Sequence, residues 1–156
     1  MLLAVMLCLS AFSVAEFRVG EAWQPIPFNS SMFYLGYGDG TWVFFETPGV
    51  FQYKDLGDTI VLKIGTISGG GTTGVDARQL VINLSYAIPV IPGPAATQTG
   101  TCTVLIGWDK YPATFDIYPG GGIVIWPMKG VFPNDLFPAG SVGVFIETTY
   151  AKAPSQ

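Results

Sequence analysis

Acidic side chains are the groups in this sequence with the most scope for catalytic chemistry. The chain has no histidine, which removes the commonest general base and excludes Ser-His-Asp and Cys-His arrangements. Asp109 and Asp116 lie on adjacent parts of one predicted hairpin and could work as an acid–base pair of carboxylates. The same pattern fits two solvated carboxylates, one in a loop and one in a strand. We therefore expect no catalytic centre and predict that the protein is not an enzyme.

Metal and phosphate sites are also weakly indicated. Asp55 and Asp58 could bind a calcium ion, but the loop that holds them offers too few further oxygen ligands. Two glycine triplets, 69–71 and 120–122, are not followed by a helical pattern, so they lack the helix N-terminus that binds phosphate. We interpret both triplets as turns and expect neither a metal nor a cofactor.

Aromatic side chains near turns are the stronger candidates for contact with a ligand or partner. Trp108 and Tyr111 flank a predicted turn, and Trp126 and Phe132 lie in a proline-rich segment that we expect to be a long ordered loop over 126–140. Exposed aromatics at loop tips can stack on sugar rings or anchor a protein partner. The alternative is that these four side chains close the ends of a sandwich or pack between subunits.

Composition predicts the kind of protein that carries these residues. Only 12% of the residues are charged and the mean hydropathy is +0.44, so the surface of a monomer should expose apolar patches. We therefore expect the chain to be a homo-oligomer or a component of a larger assembly. Its net charge is −4 and its few basic residues are scattered, which argues against a nucleic-acid partner.

The first 15 residues form a separate apolar, uncharged segment. Small residues at 13–15 would suit cleavage of a secretory leader, although no basic residue precedes the apolar run. The alternative is a retained assembly arm. We interpret 16–156 as a single β-domain. Cys102 is expected to be an inert core thiol, and a disulfide with Cys8 would require that the leader is retained in an oxidising compartment.

The remaining pattern is one of short strands separated by turns. Residues 113–125 alternate apolar and polar side chains on both sides of a Pro-Gly-Gly-Gly turn, which predicts a β-hairpin. An irregular lead-in is expected over 16–38, and a turn at Pro48-Gly49. About eight strands, with no helical stretch after residue 20, predict an all-β fold, an antiparallel β-sandwich or jelly-roll-like domain. Besides the hairpin, strands are expected at 41–46, 50–54, 59–68, 78–87, 101–107 and 141–151.

The order of these features resembles the β-sandwich modules of tailed-bacteriophage tail fibres, head fibres and related virion appendages. The resemblance covers roughly residues 20–153. It rests on Trp23, Trp42 and Tyr53 in that order, the strand at 58–67 with its following glycine-rich loop, Leu84 and Pro89, the hairpin at 113–125 and the closing segment at 146–150.

This resemblance implies a homotrimer located in the virion, with other virion proteins, the capsid or a host-surface glycan as partners. We accordingly expect a non-enzymatic viral structural protein, such as a fibre tip, a spike or a capsid decoration. Two alternatives stay open. One is a secreted, lectin-like binding module, and the other is an extracellular filament subunit that donates its N-terminal arm as a strand.

Overall fold

A computed structural model describes residues 22–36, 44–70, 79–87, 90–130, 132 and 142–153. These residues form nine β-strands and two short 3-10 turns, at Ser30–Met32 and Leu84–Tyr86. The segment 1–15, with Cys8, lies outside them, so the predicted leader or arm stays a prediction. The strands are β1 (Gln24–Pro25), β2 (Phe33–Gly36), β3 (Phe44–Asp55), β4 (Thr59–Gly70), β5 (Gln79–Asn83), β6 (Gln98–Ile106), β7 (Asp109–Ile117), β8 (Gly122–Pro127) and β9 (Val142–Ala151).

The strands make one antiparallel sheet in the order β1-β3-β4-β9-β6-β7-β8-β5-β2. Strand β9 joins its two halves, because residues 142–145 pair with β6 and residues 146–151 pair with β4. The sheet curls into a half-barrel, and the rings of Phe33 on β2 and Phe51 on β3 approach to 5.7 Å across the interior. The predicted all-β, antiparallel, sandwich-like fold is confirmed.

Alternation of side chains along the strands builds a single core. In β9, Val142, Val144 and Ile146 are buried whereas Phe145 and Glu147 are exposed, as the sequence pattern predicts. Each fully buried aliphatic or phenyl side chain stabilises the fold by about 1.5–3 kcal/mol relative to an exposed one. The core also includes Ile60, Leu62, Ile64, Val104, Ile106, Phe115, Ile117, Ile123 and Ile125.

The hairpin predicted at 113–125 is present as β7 and β8. Tyr118 N–H donates to the carbonyl of Gly122, and Gly121 N–H donates to the carbonyl of Tyr118; both N···O distances are 2.8 Å. Gly121 has φ of +80°, a conformation that L side chains rarely adopt, which explains the glycine at this point of the turn. The turn predicted at this glycine triplet is therefore present, and its last glycine, Gly122, begins β8.

Two predicted boundaries were wrong. The expected turn at Pro48-Gly49 lies inside β3, which continues through a register irregularity between Phe45 and Thr47. Strand β1 pairs only with Gln52 and Tyr53, so Pro48 lies where its missing N–H breaks no hydrogen bond to β1. Likewise β4 continues to Gly70, so glycines expected in a loop belong to a strand.

The segments around β2 and β5 also differ from expectation. The predicted strand at 78–87 ends at Asn83, whose Oδ1 accepts hydrogen bonds from the Ser85 N–H at 3.1 Å and from the Ser85 hydroxyl at 2.6 Å. This local bond turns the chain into the second 3-10 turn. The lead-in expected to be irregular contributes the two edge strands, β1 and β2. The loop expected over 126–140 begins later, because β8 continues to Pro127; most of its residues lie outside the described part.

Candidate partner-binding surface

Trp108 occupies the tip of the β6–β7 hairpin. Ile106 and Asp109 are paired in register, so Gly107 and Trp108 form a two-residue loop. Gly107 has φ of +62°, which this kind of tight hairpin turn requires. The Trp108 side chain is 100% exposed and therefore packs against no other part of the described chain.

A fully exposed indole places a large apolar surface in water, and the hairpin does not need a tryptophan at this position. The turn geometry depends on Gly107, and a small polar residue would serve equally well at the next position. Tryptophan offers a large apolar face and one N–H donor, the combination that is enriched at interfaces. Trp108 is thus the predicted contact residue that the structure leaves most available.

The other three candidates differ from Trp108. Tyr111 is half-buried and packs against the core from the inner side of β7. Trp126 is half-buried on the outer face of β8, opposite Thr114. Phe132 is 0% exposed and belongs to the core, so it offers no surface to a partner. The prediction that Phe132 contacts a ligand or partner is therefore wrong, because the side chain is buried. Its burial matches the alternative that these aromatic side chains close the sandwich.

Trp108 and Trp126 do not form one site. Trp126 is paired with Thr114, six residues beyond Trp108 along β7. With about 3.3 Å per residue, the two positions are roughly 20 Å apart. A ligand the size of a monosaccharide would contact one of them, whereas a macromolecular surface could contact both.

The carboxylates considered for catalysis are not brought together. Asp109 and Asp116 are seven residues apart on β7, which places them roughly 23 Å apart. Asp116 Oδ1 accepts a hydrogen bond from Thr99 Oγ1 at 2.7 Å, as part of a cross-strand pair. The two carboxylates cannot act on one bond, so the structure supplies no acid–base pair at this place.

Asp55 and Asp58, considered for calcium, have different surroundings. The Asp55 carboxylate binds the Lys152 ammonium at 2.8 and 3.1 Å and accepts the Gly57 N–H at 3.0 Å. The Lys152 hydrogen bond lowers the pKa of Asp55, which burial partly opposes. The Lys152 ammonium therefore occupies the position beside the Asp55 carboxylate that a calcium ion would take. Within the described ranges, no cluster of three or more acidic, cysteine or histidine side chains could hold a metal ion.

A shallow cleft of about 630 Å³ lies beside this ion pair. It is formed by the β3–β4 turn, the segment before β6 and the end of β9. Its walls are mainly backbone, alanine and proline, and the Lys152 ammonium at its side already binds Asp55. The lining residues are Gly57, Asp58, Pro92, Gly93, Ala151, Lys152 and Ala153. The cleft thus offers few polar side chains to orient a ligand.

Cys102 packs against the core from β6 and is half-buried. Burial raises the pKa of its thiol to about 12, so the thiol is almost entirely protonated at neutral pH. The thiolate is the reactive form, which makes this cysteine a poor nucleophile.

Several large apolar side chains besides Trp108 are exposed among the described residues, and Phe145 and Met128 are two that were not singled out from the sequence. Phe145 on β9 is 40% exposed and Met128, directly after β8, is 53% exposed. The alternation of β9 already placed Phe145 on the side opposite Val144, so this signal was present in the sequence. Met128 carried no comparable signal, because it follows the end of a strand.

Among the residues that the structure describes, there is no helix of the length and apolar character needed to cross a bilayer. Comparison of the chain with protein-family models, with curated proteins and with solved structures finds no match.

Proposed function

We propose that this chain is a non-enzymatic structural protein that assembles with copies of itself and presents the tip of its β6–β7 hairpin to another molecule. The full exposure of Trp108 on a hydrogen-bonded hairpin carries this proposal. Large apolar side chains that a fold leaves in water, in a chain with few charges, are typical of interaction surfaces.

The setting that we propose is a virion appendage, such as a fibre tip, a spike or a capsid decoration. Support for it comes from the order of strands and turns, including the hairpin at 113–125, which resembles the β-sandwich modules of bacteriophage appendages. A homotrimer, other virion proteins and a host-surface glycan are the partners that this setting implies.

Self-assembly is the part of the proposal that can be tested first. Light scattering on the purified full chain at micromolar concentration should give the mass of an oligomer. The low charged fraction and the exposed side chains of Phe145 and Met128 are the physical reasons for this expectation. A monodisperse monomer of 16.7 kDa under these conditions would exclude a self-assembling structural protein.

A secreted, lectin-like binding module is the second candidate, and the geometry of Trp108 favours it specifically. An exposed indole can stack on the apolar face of a sugar ring. Binding to a glycan array should then be lost in Trp108→Ala and kept in Tyr118→Ala, which truncates a partly exposed aromatic in the β7–β8 turn. Absence of glycan binding in the unmodified protein would reject this candidate while leaving self-assembly unaffected.

A further inference from the structure

One uncharged row of residues crosses the outer face of the sheet through its centre. Val50 is paired with Gly65, Thr103 is paired with both Phe145 and Pro112, and Met128 N–H donates to the carbonyl of Pro112 at 3.1 Å. The row therefore crosses β3, β4, β9, β6 and β7 and reaches the end of β8. Its members are Val50, Gly65, Phe145, Thr103, Pro112 and Met128.

Phe145 is the centre of this row. A Cβ on Gly65 would lie 3.9 Å from Phe145 Cδ1, and a Cβ on Gly143 would lie 3.6 Å from Phe145 Cε2. The ring thus lies beside two positions without side chains. On the other side of Gly143 lies Leu105, whose Cβ would be 3.3 Å from a Cβ placed on Gly143. Glycine neighbours leave the ring accessible, and 40% of Phe145 stays exposed.

One pair of opposite charges lies on one side of the row, and the exposed Lys110 lies one row away on the other side. Lys63 Nζ lies 3.2 Å from Glu147 Oε2, and both side chains are largely exposed, at 40% and 63%. These two residues are paired across β4 and β9, one row away from Phe145. A two-fold axis that lies in the interface, parallel to the strands and between β4 and β9, would place Lys63 of each copy against Glu147 of the other, so the charge pattern is complementary to itself.

We infer that the outer face around Phe145 is the docking surface for a second copy of this chain, related by a two-fold axis. The inference rests on the proposed self-assembly and names a surface that performs it, with a two-fold pair of copies in place of the homotrimer that the appendage setting implies. Phe145 supplies the buried apolar centre, and the Lys63–Glu147 pairs of the two copies fix the orientation.

Charge reversal tests the two-fold arrangement directly. Lys63→Glu places two carboxylates together, and Glu147→Lys places two ammonium groups together, so each single variant should self-associate at least about tenfold more weakly. The double variant Lys63→Glu/Glu147→Lys restores complementarity and should recover dimerisation. An equimolar mixture of the two single variants should form mixed dimers. Loss of the exposed ion pair inside one copy has little effect on folding, because such pairs contribute little to stability.

Sedimentation equilibrium on the full chain and its variants provides the readout, with Tyr118→Ala as a control outside the face. Phe145→Ser should also weaken the dimer, and circular dichroism checks that each variant is folded. An oligomer whose mass is insensitive to charge reversal and to Phe145→Ser, or a trimer without two-fold contacts, would overturn the docking surface but not self-assembly. A monomeric unmodified protein would overturn both.

Discussion

The ring of Phe115 lies over Gly100, its cross-strand partner on the neighbouring strand β6. A Cβ at Gly100 would overlap the Phe115 ring, since it would lie 2.7 Å from Cε1. Phe115 is 2% exposed, so its ring could move only by displacing other side chains of the core. Glycine at this position is therefore a packing requirement of the core.

Gly100→Ala should destabilise the fold by about 1–3 kcal/mol, because the added methyl group forces a buried ring out of its place. Urea unfolding followed by circular dichroism measures this difference. Gly122→Ala on β8 is the matched control, because a Cβ there meets no atom within 4 Å. Equal effects of the two substitutions would show that backbone freedom, and not the Phe115 contact, determines the result.

Removal of the Asp55 carboxylate should make the free energy of unfolding decrease less as the pH is lowered. The Lys152 hydrogen bond lowers the pKa of Asp55 in the folded state, so its contribution is present above the unfolded pKa of about 3.9 and is lost as pH falls further. The Asp55 side chain is 35% exposed, so the contribution is below about 1 kcal/mol. Urea midpoints at about pH 5 and about pH 3 should differ less in Asp55→Asn than in the unmodified protein.

Asp109→Asn is the control for the loss of one negative charge, since this exposed carboxylate has no ion pair within the described ranges. An unchanged acid dependence in Asp55→Asn would show that the Lys152 pair does not stabilise the folded state.

Local patterns in the sequence predicted the fold class and the hairpin of β7 and β8. Alternation is a property of the strand backbone itself, so it also placed Val144 inside and Phe145 outside. The change of partner along β9 could not be predicted in this way. Pairing with β4 and β6 joins residues far apart in sequence, and no short pattern encodes it.

The candidate surface was predicted only in part, for a related reason. Trp108 was expected near a turn, and the two-residue loop leaves its side chain in water. Phe132 was expected in the same kind of aromatic- and proline-rich setting, yet its side chain is completely buried. Burial of a residue outside the strands depends on what packs over it, and that is determined by tertiary structure.

Cys102 should react with alkylating reagents far more slowly in the folded protein than in denaturant. Burial raises the pKa of its thiol to about 12, whereas an unfolded cysteine has a pKa of about 8.5. The thiolate fraction near pH 8 should therefore fall by roughly a thousandfold on folding. The rate of iodoacetamide labelling of Cys102 can be measured by mass spectrometry in a Cys8→Ser variant, which has no other thiol. Equal rates with and without denaturant would contradict the prediction.

Gly93→Ala should loosen the contact between the segment before β6 and the β7–β8 turn. A Cβ at Gly93 would overlap the Pro119 carbonyl and lie 3.1 Å from the Gly121 nitrogen. Because backbone cannot yield as a side chain can, we expect a loss of about 1–3 kcal/mol in unfolding free energy. Hydrogen exchange should also rise at Ala153, whose N–H donates to the Gly93 carbonyl at 3.0 Å.

Gly120→Ala is the matched control for this contact, since it lies in the same turn with no atom within 4 Å of its Cβ position. If Gly93→Ala were as stable as Gly120→Ala and its Ala153 amide stayed protected, the close approach of the two segments would be wrong.

Trp108→Ala and Phe132→Ala should have opposite effects on folding and binding. Trp108 is 100% exposed, so its truncation should change the unfolding free energy by less than about 0.5 kcal/mol. Phe132 is 0% exposed, and its truncation leaves a cavity that should cost about 3–5 kcal/mol. Urea unfolding of both variants measures these changes. A Trp108→Ala variant that is fully stable but no longer recognises its partner would assign the indole to recognition, whereas a stability loss above about 1 kcal/mol would assign it to the fold.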